Sequence, residues 1–356
     1  ENKMFLLVLA CILKAVDEHA DLLRVSAADV GNDQRLGGNE APPAVISVFL
    51  GDQLEDVLDQ ILKNGEATHS IKGEKFATGV TTLPDFRKDA TDRNRTSPFA
   101  FTGNKFEFRM LGSQDSLSNC NVVLNTIAAE AFEEACDRLE KAEDFDKELN
   151  ALIVEYTEKH KRIIFSGNGY SKEWQEEAKR RGLPNLPTMV DAIPALTTDA
   201  AIDMFEHFKV FTKAELEARA EIQYEIYAKA INIEARTMID MATKQIIPAV
   251  VKYTTVLAES VNQVRAAGKI YNVSVQEKLL EKTSALLAES YEALNHLAEV
   301  TAEIEKKEEG PERARYCLDV IMPAMTELRT PVDALEMVVD KEMWPMPSYG
   351  DLMFIL

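Results

Sequence analysis

The residues with the clearest chemical potential lie in the segment PFAFTGNKFEFRM, residues 98–110. Aromatic residues alternate on both sides of a Thr-Gly-Asn turn, and this pattern predicts a β-hairpin. Because residues two apart share a strand face, Lys105, Glu107 and Arg109 are expected opposite Phe106 and Phe108. A carboxylate beside a guanidinium could hold a hard cation and clamp an anionic substrate group. The same alternation is also typical of an ordinary solvated sheet.

Two upstream segments carry further candidates for binding anions or closing a site. DRNRTSP, residues 92–98, places Arg93 and Arg95 before the first arm of the hairpin, where guanidinium groups could meet phosphate. RLGGNEAPP, residues 35–43, combines Gly37 and Gly38 with two stiffening prolines. A charged, partly rigid loop suits a mobile flap over an active site, and it is equally typical of a surface turn.

The other polar residues favour structural roles. The histidines show no HExxH motif or other paired ligand spacing, so a histidine metal site is not expected. The glycine-containing segments match neither a Walker loop nor a dinucleotide-binding loop. The histidines are His19, His69, His160, His207 and His296.

Composition excludes several classes of protein. With 46% hydrophobic and 28% charged residues, the chain is neither disordered nor fibrous. Its net charge of -20 disfavours non-specific binding to nucleic acid or anionic membranes. The longest apolar run, residues 4–13, is too short to span a bilayer, which needs about 20 residues, and predicts a buried helix. Four widely separated cysteines predict reduced thiols in a cytoplasmic protein.

The fold class expected from these patterns is α+β. Nine of the fifteen glycines lie in residues 1–140, which predicts a mixed α/β part followed by a mostly helical part over residues 141–356. In the first part we predict a helix at 3–28, a loop at 30–43 and a strand at 44–50. Downstream, capping boxes at Thr212/Glu215 and Ser274/Glu277 predict helix starts.

Leucines recur every seven residues in the helix that follows Ser274, at Leu280, Leu287 and Leu294. This spacing predicts packing in a bundle or an antiparallel pair. Prolines at 323, 331, 345 and 347 are expected to break up the C-terminal region.

Taken together, RLGGNEAPP and NRTSPFAFTGNKFEFR resemble the glutamine synthetase family, specifically its long type III class. The resemblance implies that residues 1–140 are the C-terminal half of the catalytic domain, with part of its sheet and flanking helices. Residues 141–356 are similar to the C-terminal helical extension of that class. The family's N-terminal β domain and its other metal ligands have no counterpart in this sequence, so we expect an incomplete chain that is inactive alone.

The resemblance also implies roles for individual residues. Glu107 matches a metal-ligand glutamate, and Arg109 matches an arginine that contacts substrate glutamate and its transferred phosphoryl group. Arg95 matches an ATP-binding arginine, and Arg35 is similar to the arginine that binds the glutamate carboxylate. Glu40 looks like the flap glutamate that helps to take a proton from ammonium.

The implied reaction is the ATP-dependent condensation of glutamate and ammonia to glutamine through γ-glutamyl phosphate, with Mg²⁺ or Mn²⁺. The implied full-length assembly is a ring-forming homo-oligomer without nucleic-acid or membrane partners. Two alternatives stay open. One is a non-catalytic helical assembly or regulatory protein with a degenerate ligase sheet, and the other is a related ligase acting on another amine.

Overall fold

The computed structural model describes residues 2–38, 41–70, 75–76, 86–87 and 96–354, with backbone alone at 75–76 and 86–87. It divides into two compact units, Glu1–Ala220 and Glu221–Leu356. The first unit extends beyond residue 140 because helices after that point pack on the N-terminal helix. The boundary between residues 140 and 141, which composition and resemblance predicted between the catalytic-domain part and the helical extension, stays a prediction.

Helices make up most of the first unit. Its helices are α1 (Lys3–Glu18), α2 (Ala20–Ser26), α3 (Val30–Arg35), α4 (Asp52–Asn64), α5 (Ser118–Glu140), α6 (Phe145–His160), α7 (Lys172–Arg180), α8 (Met189–Ala192) and α9 (Asp199–His207). The next helix, α10 (Lys213–Met241), begins in this unit and continues into the second.

Two small sheets accompany these helices. In the first, β1 (Val48–Phe49) pairs in parallel with β4 (Phe99–Thr102), and β4 pairs antiparallel with β5 (Lys105–Phe108). The second joins β2 (Lys75–Phe76) to β3 (Phe86–Arg87) in antiparallel register. The expected α+β class is therefore confirmed in its coarse form, as a mostly helical chain with little sheet. The strand predicted at residues 44–50 is shorter, because only Val48 and Phe49 join the ladder.

The apolar run at residues 4–13 forms the centre of the first unit. Leu9, Cys11 and Leu13 of α1 are buried, and the helix packs against α5 and α6. The predicted buried helix is confirmed. The predicted span of 3–28 is wrong in one respect, because the helix is interrupted at His19 between α1 and α2.

The segment predicted as a loop at residues 30–43 begins with a helix instead. Asp29 accepts a hydrogen bond from the backbone N–H of Gly31, at 3.0 Å, and caps the first turn of α3. A side-chain cap satisfies an N–H group that the first turn leaves free. The loop prediction was therefore wrong for the first six residues, where capping outweighs the low helix propensity of glycine.

The second unit is built from helices in the part that the structure describes. They are the end of α10, α11 (Ile247–Ala267), α12 (Ser274–Ala302), α13 (Pro311–Tyr316), α14 (Met322–Glu336) and α15 (Tyr349–Met353). Helix α12 packs against α11 and α14, so the packing predicted from its leucine spacing is confirmed. Leu287 contacts a buried cluster that includes Ile246, Val250 and Leu335.

Two of the prolines predicted to break up the C-terminal region, Pro323 and Pro331, lie inside helical structure. Residues 242–246 and 317–321 form π-helical turns, and the second residue after each turn is a proline, Pro248 in α11 and Pro323 in α14. Proline has no N–H to donate and crowds the preceding turn, and the wider π-turn accommodates it. Pro331 also lies within α14, so the prediction that Pro323 and Pro331 break the chain was wrong.

The predicted capping boxes had different outcomes. Thr212 and Glu215 exchange the expected hydrogen bonds before α10. The capping box predicted at Ser274 was wrong, because Val273 occupies the cap position of α12 and Glu277 pairs with Arg265 instead.

Among the helices in the described ranges, none combines the length and apolar character needed to cross a lipid bilayer.

Candidate active site

The hairpin formed by β4 and β5 places charged and aromatic side chains on opposite faces. Its register pairs Phe99 with Phe108 and Thr102 with Lys105, so a tight turn at Gly103 joins the arms. Gly103 has a φ of 62°, a backbone conformation that glycine adopts without strain. On one face Phe106 stacks on Phe99 with ring centroids 5.0 Å apart. The predicted hairpin is confirmed, and its aromatic face fixes the direction of the alternate residues.

Glu107 lies between the two cations of the charged face. One carboxylate oxygen is 2.8 Å from the ammonium nitrogen of Lys105. The other accepts hydrogen bonds from two guanidinium nitrogens of Arg109, at 3.1 and 3.2 Å. The Lys105 ammonium, followed by the Thr102 hydroxyl and then Arg109, lowers the pKa of Glu107 to about 2. Glu107 is thus an ionised acceptor whose two oxygens are both engaged.

The position of Arg109 is fixed through its backbone. Its N–H donates to the carbonyl oxygen of Pro98 at 2.8 Å, which continues the antiparallel ladder one residue beyond β5. The Arg109 side chain is 20% exposed, whereas that of Lys105 is 66% exposed. Arg109 is therefore the more firmly held of the two cations that flank Glu107.

Arg35, at the end of α3, reaches the same end of the hairpin. A guanidinium nitrogen of Arg35 donates to the carbonyl oxygen of Met110 and to the side-chain oxygen of Asn32, both at 2.9 Å. Met110 directly follows Arg109, so the structure brings Arg35 to the strand end that carries Glu107 and Arg109.

Asn32 was missed by the sequence analysis, although it organises this corner. It is buried, and its amide nitrogen donates to the carbonyl oxygens of Ala27 at 2.7 Å and Met110 at 2.9 Å. Its side-chain oxygen accepts from Arg35. The one available signal was the three-residue spacing of Asn32 and Arg35, which is informative only once the segment is known to be helical.

A buried ion pair anchors the base of α3. The Asp33 carboxylate accepts from the backbone N–H of Met189 at 2.8 Å and lies 3.6 Å from the guanidinium of Arg24. Arg24 is buried and also donates to the carbonyl oxygen of Leu186 at 2.8 Å. Burial raises the pKa of Asp33 to about 6, against the opposing effects of Met189 and Arg24. This pair holds α3 against the segment that leads into α8.

Two predicted site residues fall outside the described ranges. Glu40 lies in the gap at residues 39–40, and Arg95 lies in the gap at residues 88–95, together with Arg93. The structure therefore pairs Glu107 with Arg109 and places Arg35 against the backbone of the next residue, Met110. It says nothing of the predicted flap and ATP-binding residues.

The donor set at the hairpin does not by itself form a metal site. Within the described ranges, no three or more His, Cys, Asp or Glu side chains are grouped closely enough to hold a metal ion. Mg²⁺ prefers six oxygen ligands, and Glu107 offers one carboxylate already paired with two cations.

The arrangement can nevertheless bind anions. Arg109 presents a half-buried guanidinium group, and Arg35 approaches the neighbouring backbone from α3. Guanidinium groups recognise carboxylate and phosphate through paired hydrogen bonds.

Comparison with known proteins identifies the family that this chain resembles. A family model described as the glutamine synthetase C-terminal domain matches residues 148–265. The chain is 38% identical to a type-3 glutamine synthetase of Dictyostelium discoideum over 367 aligned residues, which cover 100% of the chain and 49% of that protein. The predicted resemblance to glutamine synthetase is confirmed.

Two bacterial proteins give the same result. A glutamine synthetase of Butyrivibrio fibrisolvens is 38% identical over 100% of the chain and 51% of its own length. A glutamine synthetase of Bacteroides fragilis is 34% identical over 99% of the chain and 50% of its own length. The chain thus spans about half the length of the curated relatives it matches.

Proposed function

We propose that this chain contributes to an ATP-dependent ligase that condenses glutamate and ammonia to glutamine through γ-glutamyl phosphate. The observation that carries the proposal is the convergence of the Glu107 and Arg109 tips, 3.1 Å apart, on one face of the hairpin. Full-length similarity to one half of three proteins named glutamine synthetase supports it independently.

The proposed roles follow the chemistry of each side chain. Arg109 binds substrate glutamate and stabilises the negative charge that spreads over the transferred phosphoryl oxygens. Arg35 binds the glutamate carboxylate, and Arg95 binds the phosphates of ATP. Glu40 takes a proton from ammonium as a flap closes, because the amine must be neutral to attack the acyl phosphate.

Glu107 is proposed as one metal ligand, and its low pKa keeps it in the ionised form that a divalent cation requires. The remaining oxygen ligands would have to come from outside the residues described here. We therefore propose that the 356 residues alone do not complete the catalytic site for Mg²⁺ or Mn²⁺.

The wider expectations are part of the same proposal. Residues 1–140 correspond to part of the catalytic domain and residues 141–356 to a helical extension. The whole protein acts in the cytoplasm as a ring-forming homo-oligomer, without nucleic-acid or membrane partners. The four free cysteines, three of them buried, are in keeping with a reducing compartment.

The test compares the chain alone with the protein encoded by the whole open reading frame around it. The chain alone is expected to show no γ-glutamyl transfer with Mg²⁺ or Mn²⁺, and clear turnover would refute its incompleteness. In the whole protein, Glu107→Gln and Arg109→Gln are each expected to lower kcat at least 100-fold. Lys105→Gln, which changes the more exposed residue beside Glu107, is expected to lower kcat less than tenfold.

The same assays separate the alternatives. Wild-type turnover in both the Glu107 and Arg109 variants would show that these residues do not act in the active site. Absence of any ligase activity in the whole protein would favour a helical assembly or regulatory protein with a degenerate sheet. ADP release that depends on another amine instead of ammonia would indicate a related ligase.

A further inference from the structure

A cavity of about 420 Å³ lies in the first unit. It is lined on one side by α4, and on the other by Thr157 of α6, by residues 161, 162 and 164, and by Arg181. Its volume is in the range of small-molecule sites, about 300–1,000 Å³. None of Arg35, Glu107 and Arg109 lines it.

The charged groups of this cavity are separated by sign. Glu55 and Asp59 are four residues apart on α4 and therefore share a face, whereas Lys161, Arg162 and Arg181 line the other side. Lys161 has no ion-pair partner in the part of the chain that the structure describes. Within the described ranges, Asp59 pairs along its own helix, with Lys63 at 3.6 Å. On the basic side, Arg162 is already paired with Asp17 at 2.8 Å and Arg181 with Glu177 at 2.7 Å. Lys161 is therefore the cation that keeps its charge most available to an occupant.

Burial raises the pKa of Glu55 above its usual range, and the nearby Asp52 and Asp59 raise it further, against the hydrogen bond from Ser166. A cation placed beside Glu55 and Asp59 would relieve this repulsion.

A hydroxyl group in the wall also lacks a partner. Thr157 is 0% exposed, and its hydroxyl forms no hydrogen bond with any residue in the described ranges. Buried hydroxyls in proteins are nearly always hydrogen-bonded. Thr157 lies in the wall of the cavity, but its hydroxyl is closed off from solvent, so it offers no contact to an occupant.

The rest of the lining is apolar. Leu58 and Leu62 of α4 lie on the same helix face as the carboxylates, and Ile164 contributes from the opposite side. A ligand that satisfies this lining needs a positive end, a negative end and an apolar body.

We propose that this cavity binds a free α-amino acid with an apolar side chain. Its ammonium group lies at Glu55 and Asp59, its carboxylate at Lys161 and Arg162, and its side chain against Leu58, Leu62 and Ile164. None of the described residues of the proposed active site lines this cavity, and the proposal does not depend on the ligase function.

The experiment titrates the 356-residue chain with L-leucine by calorimetry. A second readout is the fluorescence of Trp174 in a Trp344→Phe background, because Trp174 lies 5.4 Å from the guanidinium of Arg181. Two matched compounds each lack one charge: 4-methylpentanoate has no ammonium group, and 3-methylbutylamine has no carboxylate. Saturable binding of L-leucine is expected, with each matched compound at least tenfold weaker.

Variants locate the binding. Lys161→Gln and Asp59→Asn are each expected to weaken L-leucine binding at least tenfold. Lys159→Gln is the control, because Lys159 pairs with Glu18 and is not part of the lining. Arg109→Gln is expected to leave L-leucine binding unchanged.

Four results would overturn the proposal: no saturable binding, equal affinity for all three compounds, wild-type affinity in Lys161→Gln or Asp59→Asn, or equal weakening by Lys159→Gln.

Discussion

The Nδ1 atom of His160 lies 2.8 Å from the carboxylate of Asp17, and both side chains are 2% exposed. The same carboxylate accepts hydrogen bonds from Nε of Arg162 at 2.8 and 3.0 Å. Asp17 lies in the last turn of α1, whereas His160 ends α6, 143 residues later. One buried carboxylate therefore joins the N-terminal helix to the segment that lines the cavity.

Replacing this carboxylate should destabilise the first unit. Asp17→Ala is expected to lower the free energy of unfolding by about 3–5 kcal/mol, because it leaves His160 and Arg162 without their partner. Urea unfolding followed by Trp174 fluorescence, in the Trp344→Phe background, measures the loss. Asp203→Ala, at an exposed position on α9, is the control and should change the value by about 0.5 kcal/mol or less. Equal effects of the two substitutions would contradict this account of Asp17.

Glu107 should remain ionised in acid. Lys105, followed by Thr102 and Arg109, lowers its pKa to about 2 from the usual 4.5. Ionised Glu107 therefore stabilises the folded state above pH 4.5, and this contribution is lost as the pH falls towards 2. A ¹³C NMR titration of the Glu107 carboxyl group measures the pKa directly. Lys105→Met should raise it, and a midpoint near 4.5 in the wild-type protein would show that the ion pairs do not form in solution.

The contribution of Asp33 to the free energy of unfolding should change with pH in the opposite direction. Burial raises its pKa to about 6 from 3.8, so the folded state binds more protons than the unfolded state between these values. Its contribution to the free energy of unfolding therefore falls as the pH rises from 4 to 6, by an amount on the order of 3 kcal/mol. Urea unfolding across this range, wild type against Asp33→Asn, isolates the effect. A difference between the two proteins that is independent of pH would refute the raised pKa.

The hairpin turn should tolerate asparagine better than alanine. Gly103 has a φ of 62°, and an added Cβ would meet nothing within 4 Å, so a substitution is strained only through its backbone. Gly103→Ala is expected to cost about 1–2 kcal/mol, and Gly103→Asn less, because asparagine visits this conformation more readily. Hydrogen exchange of the Arg109 amide, which bonds Pro98, reports the opening free energy of the hairpin. Equal exchange rates in both variants would rule out backbone strain.

Features set by neighbours in sequence were predictable. The alternation in residues 105–109 correctly separated the charged and aromatic faces of the hairpin, because side-chain direction in a strand depends only on local geometry. The leucine spacing at 280, 287 and 294 likewise predicted a packed helix. Predictions that depended on competing local signals were less reliable. The loop at 30–43 began with a capped helix, and the proline at 331 lies inside one.

The roles of the predicted site residues stay predictions, and the reason differs between them. Arg35 lies against Met110, the residue after Arg109, which the motifs alone could not establish because this contact joins residues 75 apart. Asn32, which holds that corner together, had no motif to mark it. Glu40 and Arg95 lie outside the described residues.

The sequence by itself determined the family resemblance, the acidic character of the chain, and the residue types that face each other across a single turn. These depend on composition and on spacings of a few residues. Only the tertiary structure decided which distant groups meet: Asp17 with His160, Asp33 with Met189, and the opposed charges around the cavity at Thr157. Such contacts form because burial removes water from charged groups and makes a partner necessary, wherever in the chain that partner lies.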